Sequence, residues 1–231
     1  MALKVYYDLL SQPSRALVMF LQASKVPFEH RRVALKKGEH FTDEYKNISR
    51  FQKVPAIDDN GFKLAESVAI MRYLVREKLV PEHWYPRDSK KQALVDEYLE
   101  WQHNNTRLHC SWYFRAKWIE PIMAGTPANP RRIEHLERRM SECLDSLEEL
   151  WLRNNDYLVG DRISIADLLG ACEVEQPRIA GYEPRDGRPK LTAWLDRIRT
   201  EMNPHYDEVH SEVNKLADKY QGQAPIKMAS L

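Results

Sequence analysis

Cysteine and glycine are scarce in this chain, and long apolar runs do not occur. The three cysteines, Cys110, Cys143 and Cys172, are odd in number and far apart, which argues against a disulfide framework and for reduced thiols packed as small apolar groups. Nowhere do about 18 consecutive apolar residues follow one another, so a helical membrane span is not expected. The opening MALKVYYDLLSQPSRALVMF interrupts its apolar residues with Asp8, Ser11, Gln12, Pro13 and Arg15, which is not a secretory leader, and the expected location is the cytoplasm. Neither sign of charge is in excess, with 35 Lys plus Arg against 34 Asp plus Glu, so no overall field draws nucleic acid or anionic lipid, and neither is an expected partner. The eight glycines form no G-x-G-x-x-G or Walker string, and no G-x-S-x-G elbow supports a hydrolytic serine. The histidine pairs His103/His109 and His205/His210 have spacings that do not put both rings on one helical face, so no metal site is expected.

What is present is a balance of 43% hydrophobic and 30% charged residues, that of a globular, helix-rich protein. LKVYY, residues 3 to 7, reads as a strand. Pro13 suits the first turn of a helix whose apolar residues Leu17, Val18, Phe20 and Leu21 recur at helical spacing up to Val26-Pro27. PFEHRRVAL follows as a second strand, and the stretch from Lys36 to Phe51 is polar and irregular. KVPAIDDNGFKLAES reads as strand, Asp-Asn-Gly turn and strand, and Ser67 opens a helix that runs to about Leu79. PEHWYPRD, with two prolines and no period, is the natural linker. Beyond it the pattern is helical only, roughly Ser89 to Trp118, Asn129 to Asn154, Ser164 to Glu175, Lys190 to Thr200 and Pro204 to Tyr220. Ser164 and Asp167 in GDRISIAD form a capping box, with Ile163 and Leu168 as its hydrophobic staple, and this motif serves folding rather than chemistry.

The organisation expected is therefore an α/β domain over residues 1–80, a linker over 81–88 and an all-α domain over 89–231. A small α/β domain with a proline entering its second half suggests the thioredoxin-like class, in which a redox enzyme needs a cysteine after the first strand. None precedes Cys110, which removes dithiol exchange and leaves the Ser11 hydroxyl at the equivalent place. On pattern alone Ser11 reads first as a turn or helix-entry residue.

The strings DLLSQPSRAL, KGEHF, Lys53-Val54-Pro55, Glu66-Ser67, EHWYP, DEYLEWQH and GDRISIADL together resemble theta-class glutathione transferases, in order and spacing, from about residue 3 to residue 220. The resemblance implies a homodimer with glutathione as co-substrate and no other cofactor. It implies that Ser11 donates a hydrogen bond to the glutathione sulfur and favours the thiolate. Val54-Pro55 matches the family's cis-proline turn, which presents the Val54 backbone to the cysteinyl unit. Glu66 and Ser67 match the site of the γ-glutamyl end, where a helix start offers free N–H groups to a carboxylate. His40 and Lys53 match positions near the glycine carboxylate, and Phe41 beside them has only its backbone to offer. Arg107 matches an arginine that reaches the active site and supports the thiolate. Asn104 stands where some relatives carry an acidic residue that meets the glutathione amino group across the dimer, so that contact loses its charge here. The tail GQAPIKMASL ends sooner than the segment that covers the site in some relatives, which implies a more open electrophile pocket. The activity implied is attack of the thiolate on a soft electrophilic carbon, with reduction of organic hydroperoxides as a second reaction. Trp112, Phe114 and Trp118 are candidates to line the second pocket, although as residue types they read at least as readily as core. A non-enzymatic carrier of apolar ligands or glutathione conjugates is the main rival on the same fold, and a scaffolding domain the third.

Overall fold

The computed structural model describes residues 3–225, so the end of the C-terminal tail lies outside the described residues. β1 (Leu3–Tyr7), α1 (Gln12–Ala23), β2 (Phe28–Arg32), β3 (Ala56–Asp59), β4 (Phe62–Ala65) and α2 (Ser67–Glu77) make the first domain. Its sheet has the order β2-β1-β3-β4, with β1 parallel to β2 and antiparallel to β3, and β3 antiparallel to β4. The hairpin turn is Asn60-Gly61, both at positive φ (55° and 94°), as a tight two-residue turn between twisted strands requires. Residues 36–51, expected to be irregular, hold short helical turns over Leu35–Lys37, Glu39–Phe41 and Asp43–Lys46. Thr42 caps the last of these by accepting from the Tyr45 N–H at 3.2 Å.

The second domain is helical: α3 (Ser89–Asn104), α4 (Thr106–Phe114), α5 (Pro130–Ser146), α6 (Ile165–Glu175), α7 (Pro189–Met202) and α8 (His205–Tyr220). The single helix expected over Ser89 to Trp118 is broken at Asn105, whose φ and ψ are −124° and −98°. The Asn105 side-chain amide donates to the Trp101 carbonyl at 2.8 Å and so takes the place of its own backbone N–H in the helix ladder. α4 runs on through a π-helical turn, Arg115–Ile119, into a last short helix, Glu120–Ala124. The linker segment is not loose, since Trp84 and Tyr85 are buried and Trp84 meets Phe20 edge-on with ring centroids 5.6 Å apart. No helix among the described residues is long and apolar enough to cross a membrane.

α1 and α6 pack against each other at the junction of the two domains. Every residue of α1 from Pro13 to Leu21 is buried, and so is every residue of α6. Helices buried on all faces must find internal partners for whatever polar groups they carry. At the start of α6 the capping box does this. The Ser164 N–H donates to Asp167 Oδ2 at 2.8 Å, and the Ser164 side chain meets the backbone of the third helical position, its hydroxyl also accepting from the Ala166 N–H at 3.2 Å. Asp167 Oδ1 also accepts from the Leu158 N–H at 2.8 Å and from the Trp194 indole at 2.9 Å. Ile163 and Leu168 of the expected staple are both buried.

Candidate active site

The sheet register gathers the candidate residues at one end of the sheet. Tyr6 near the end of β1 pairs with Ala56 at the start of β3, and Ala56 pairs with Ala65 at the end of β4. Ser11, Val54 and Glu66 follow or precede those three positions within a few residues, so they emerge from the same edge.

Ser11 closes the turn between β1 and α1. Its N–H donates to the Asp8 carbonyl at 3.0 Å, while Asp8 Oδ1 accepts from the Leu10 N–H at 2.8 Å and Asp8 Oδ2 from the Leu35 N–H at 3.0 Å. Ser11 stands at the N-cap of α1, yet its side chain caps no helical N–H. The half-buried hydroxyl faces the Val54 carbonyl at 3.5 Å, the outer limit of a hydrogen bond, and so remains available to a stronger acceptor. The Val54-Pro55 peptide is cis, as the resemblance implies. Pro55 is buried and Val54 half-buried. The adjacent Lys53 is fixed through its backbone, its carbonyl accepting from the Tyr45 hydroxyl at 2.9 Å and its N–H donating to Ser49 Oγ at 3.4 Å, while its side chain is exposed.

Glu66 has φ 71° and ψ 110°, a conformation that costs a residue with a Cβ on the order of 1–3 kcal/mol and is held only where the surroundings dictate it. It throws the chain directly into α2, whose first N–H groups have no intrahelical acceptors. Glu66 is exposed and Ser67 half-buried. His40 is half-buried, with a buried Nδ1 that has no protein partner. Burial lowers its pKa against the pull of Asp8, which keeps the ring neutral near pH 7. The His40 ring lies 3.8 Å from that of Phe41, which is 69% exposed.

Arg107 on α4 is half-buried, and its Nη1 donates to Glu173 Oε1 at 2.6 Å. Glu173 belongs to α6 and its side chain is only 1% exposed; burial pushes its carboxyl up, opposed by Arg107 and Arg15. Asn104 is exposed at the end of α3 and makes no side-chain hydrogen bond to the other candidates among the described residues. Of the three aromatic candidates, Phe114 and Trp118 are core residues, 8% and 5% exposed, with Trp118 edge-on to Tyr220 at 5.3 Å. Only Trp112, at 52%, presents its ring to solvent. Two concave spaces of about 270 and 620 Å³ lie between β1, β2, α1 and α8 and beside α5, and none of the candidate residues lines either.

Sequence reasoning passed over Asp8, Arg15, Glu173 and Gln176. Arg15 carried a usable signal, a charged residue inside an otherwise apolar helical run, which implies a buried partner without saying which.

The family model "Glutathione S-transferase, N-terminal domain" matches residues 1–76, and "Glutathione S-transferase, C-terminal domain" matches residues 112–201. The chain is 40% identical to glutathione S-transferase theta-3 of Mus musculus over 219 residues, covering 94% of this chain and 91% of the relative. It is equally 40% identical to glutathione S-transferase theta-1 of Homo sapiens over 222 residues, with the same coverage. Among solved structures, the apo form of human glutathione-S-transferase T1-1 superposes with a TM-score of 0.90 at 38% identity, over 97% of this chain and 93% of that one. Human glutathione transferase theta-2, in complex with glutathione and an unknown ligand, gives 0.89 at 33% identity over 94% and 89%.

Proposed function

The chain belongs to the glutathione S-transferase family, within its theta class, and on that premise we propose that Ser11 holds the sulfur of bound glutathione as a thiolate. The enzyme is a glutathione S-transferase. The observation that supports the assignment of Ser11 is its half-buried hydroxyl, which caps no helix and has only a 3.5 Å contact to Val54, at the sheet edge where Glu66 and Ser67 open α2. A free thiol titrates near pKa ~8.5, so unassisted glutathione is mostly protonated at neutral pH. A hydrogen bond to a charged group contributes about 1.5–3 kcal/mol, equivalent to lowering that pKa by roughly 1–2 units. The thiol proton leaves to solvent, the sulfur lone pair forms the S–C bond, and the leaving group departs with the electrons of the bond it breaks.

In this reading the Val54 backbone pairs with the cysteinyl unit, and Glu66, Ser67 and the start of α2 take the γ-glutamyl end. Neutral His40, with Lys53 and the backbone of Phe41, takes the glycine carboxylate, and Arg107 adds positive charge from the helical domain. Asn104 offers a neutral amide toward the amino end of glutathione in a homodimer. We assign the domain boundary to residues 81–88 and the location to the cytoplasm. Phe114 and Trp118 drop out of the electrophile pocket because both are core, which leaves Trp112. Hydroperoxide reduction at the same thiolate is the second activity assigned.

The test is Ser11→Ala. Turnover near neutral pH should fall about 10- to 100-fold, with glutathione binding much less affected and activity recovering as pH rises. The ultraviolet absorbance of the bound thiolate against pH reads the same shift directly. An unmoved thiolate titration with normal turnover would return Ser11 to a turn residue and pass the stabilisation of the thiolate to another group, Arg107 first.

A further inference from the structure

The turn that carries Ser11 is held by side chains that no catalytic role requires. Arg15, one helical turn beyond Ser11, is fully buried, and no carboxylate lies within ion-pair distance among the described residues. Helical side chains lean toward the N-terminus, so its guanidinium folds back over the turn. Its Nη1 donates to the Leu9 carbonyl at 2.9 Å, and its Nη2 donates to the Cys172 carbonyl at 2.9 Å and to Gln176 Oε1 at 2.7 Å. The Gln176 amide in turn donates to the Leu10 carbonyl at 3.3 Å. With the Leu10 N–H taken by Asp8, the polar backbone groups of this turn are held from α1, from the end of α6 and from Asp8.

Burying a charged arginine at such a place is costly, and an apolar side chain would fill the space at lower cost. What the arginine supplies is geometry, because its planar fork meets three acceptors at fixed angles. We propose that Arg15 and Gln176 are positioning residues for Ser11, clamping the Leu9 and Leu10 carbonyls so that the hydroxyl is held in register with both domains. The inference rests on the role given to Ser11 above. A hydrogen bond to a thiolate depends steeply on distance and angle, so a hydroxyl that is present but free to drift loses much of its effect. Cys172 and Gln176 belong to the helical domain, which is where the electrophile approaches, and the clamp therefore also sets the thiolate against the second substrate.

The experiment compares Gln176→Met, Ser11→Ala and the double variant by the pH titration of the bound thiolate and by glutathione affinity. Gln176→Met should raise the thiolate midpoint by about half a unit to one unit, and lower kcat/KM at neutral pH roughly three- to ten-fold. Glutathione Kd should stay within about two-fold, since the clamp touches no glutathione-binding group. A purely structural loss would reduce the yield of folded enzyme without moving the midpoint. In the Ser11→Ala background, Gln176→Met should leave the midpoint where Ser11→Ala put it. Arg15→Lys keeps the charge but loses the fork, and should give the same rise if Gln176→Met folds poorly. A wild-type midpoint in Gln176→Met or Arg15→Lys, or an undiminished further rise on top of Ser11→Ala, overturns the clamp. A Ser11→Ala enzyme with a normal titration fails earlier and separately, at the assignment of Ser11 itself.

Discussion

Replacing Arg107 by alanine leaves the Glu173 carboxyl without the guanidinium that faces it. Glu173 Oε1 has its bond at 2.6 Å to Arg107, and Oε2 is buried with no partner. Burial already pushes this carboxyl up from its ordinary value of 4.5, and Arg107 is foremost among the groups that oppose the rise. Without Arg107 only Arg15 still opposes burial, so the carboxyl is pushed further up, and the most the folded enzyme can be made to do is hold a proton there rather than a charge that has lost its partner. That limits the penalty. Holding a proton at pH 7 on a group that titrates near 4.5 when unfolded costs about 2.5 pH units, or about 3.4 kcal/mol. At pH 5 the same limit falls below about 1 kcal/mol. Because the folded pKa is raised, the penalty is absent below the unfolded pKa and grows as pH rises.

Arg107→Ala should therefore lose about 2–3 kcal/mol of stability at pH 7 and less than about 1 kcal/mol at pH 5. Arg107→Ala/Glu173→Gln, with a neutral amide in the sealed position, should recover most of the loss at pH 7. Urea unfolding followed by the fluorescence of the six tryptophans measures all three proteins. An equal loss at both pH values, or no recovery in the double variant, refutes the reasoning. The same pair separates the chemical role of Arg107 from its structural one, since turnover of the double variant against Glu173→Gln alone reports the guanidinium with the buried charge removed from both.

Two further outcomes follow from the same structure. Ser67→Ala and Glu66→Ala should each weaken glutathione binding about tenfold or more in titration calorimetry, as loss of a hydrogen bond to a charged group implies, and affinities unchanged within error would remove these residues from the site. Glu175 supplies the acid limit: burial alone would push its carboxyl up, but Arg185 and Arg178 outweigh it and hold the pKa at about 2. A depressed folded pKa stabilises above the ordinary value of 4.5, and that stability, on the order of 3 kcal/mol, is lost as pH falls from there toward 2. Glu175→Gln should flatten this part of the pH–stability curve, and a curve as steep as wild type would contradict the assignment.

Features governed by neighbours in sequence were legible. The capping box at Ser164 and Asp167 and the Asn60-Gly61 turn are local bargains between a side chain and the adjacent backbone, and the structure contains both. The cis peptide before Pro55 came through the family resemblance rather than through any property of the string itself. The break at Asn105 was hidden because the apolar period continues across it, while the asparagine side chain competes for a carbonyl that periodicity does not register. Trp84 in the proline-rich linker read as loop, yet it packs on Phe20, a contact set by the fold. Phe114 and Trp118 lie on an amphipathic helix whose apolar face could equally have lined a ligand pocket, and only burial decides between the two.

The least legible part of the molecule is the polar layer where α1 and α4 meet α6 and the residue that follows it, and the reason is sequence distance. Arg15 meets Gln176 across 161 positions and Arg107 meets Glu173 across 66, so no local pattern ties one partner to the other. These contacts also bear on how the two domains depend on each other. Of the three acceptors around the Arg15 guanidinium, only the Leu9 carbonyl belongs to the first domain; the Cys172 carbonyl and Gln176 Oε1 both come from the second. A first domain folded without α6 would leave this arginine without two of its acceptors, and would expose the apolar residues of α1 that α6 covers. The segment carrying Ser11 is thus complete only when both domains are assembled, although the groups assigned to glutathione lie almost wholly in the first. On the roles proposed for Ser11 and its clamp, substitutions at the junction should change thiolate formation while leaving glutathione affinity in place.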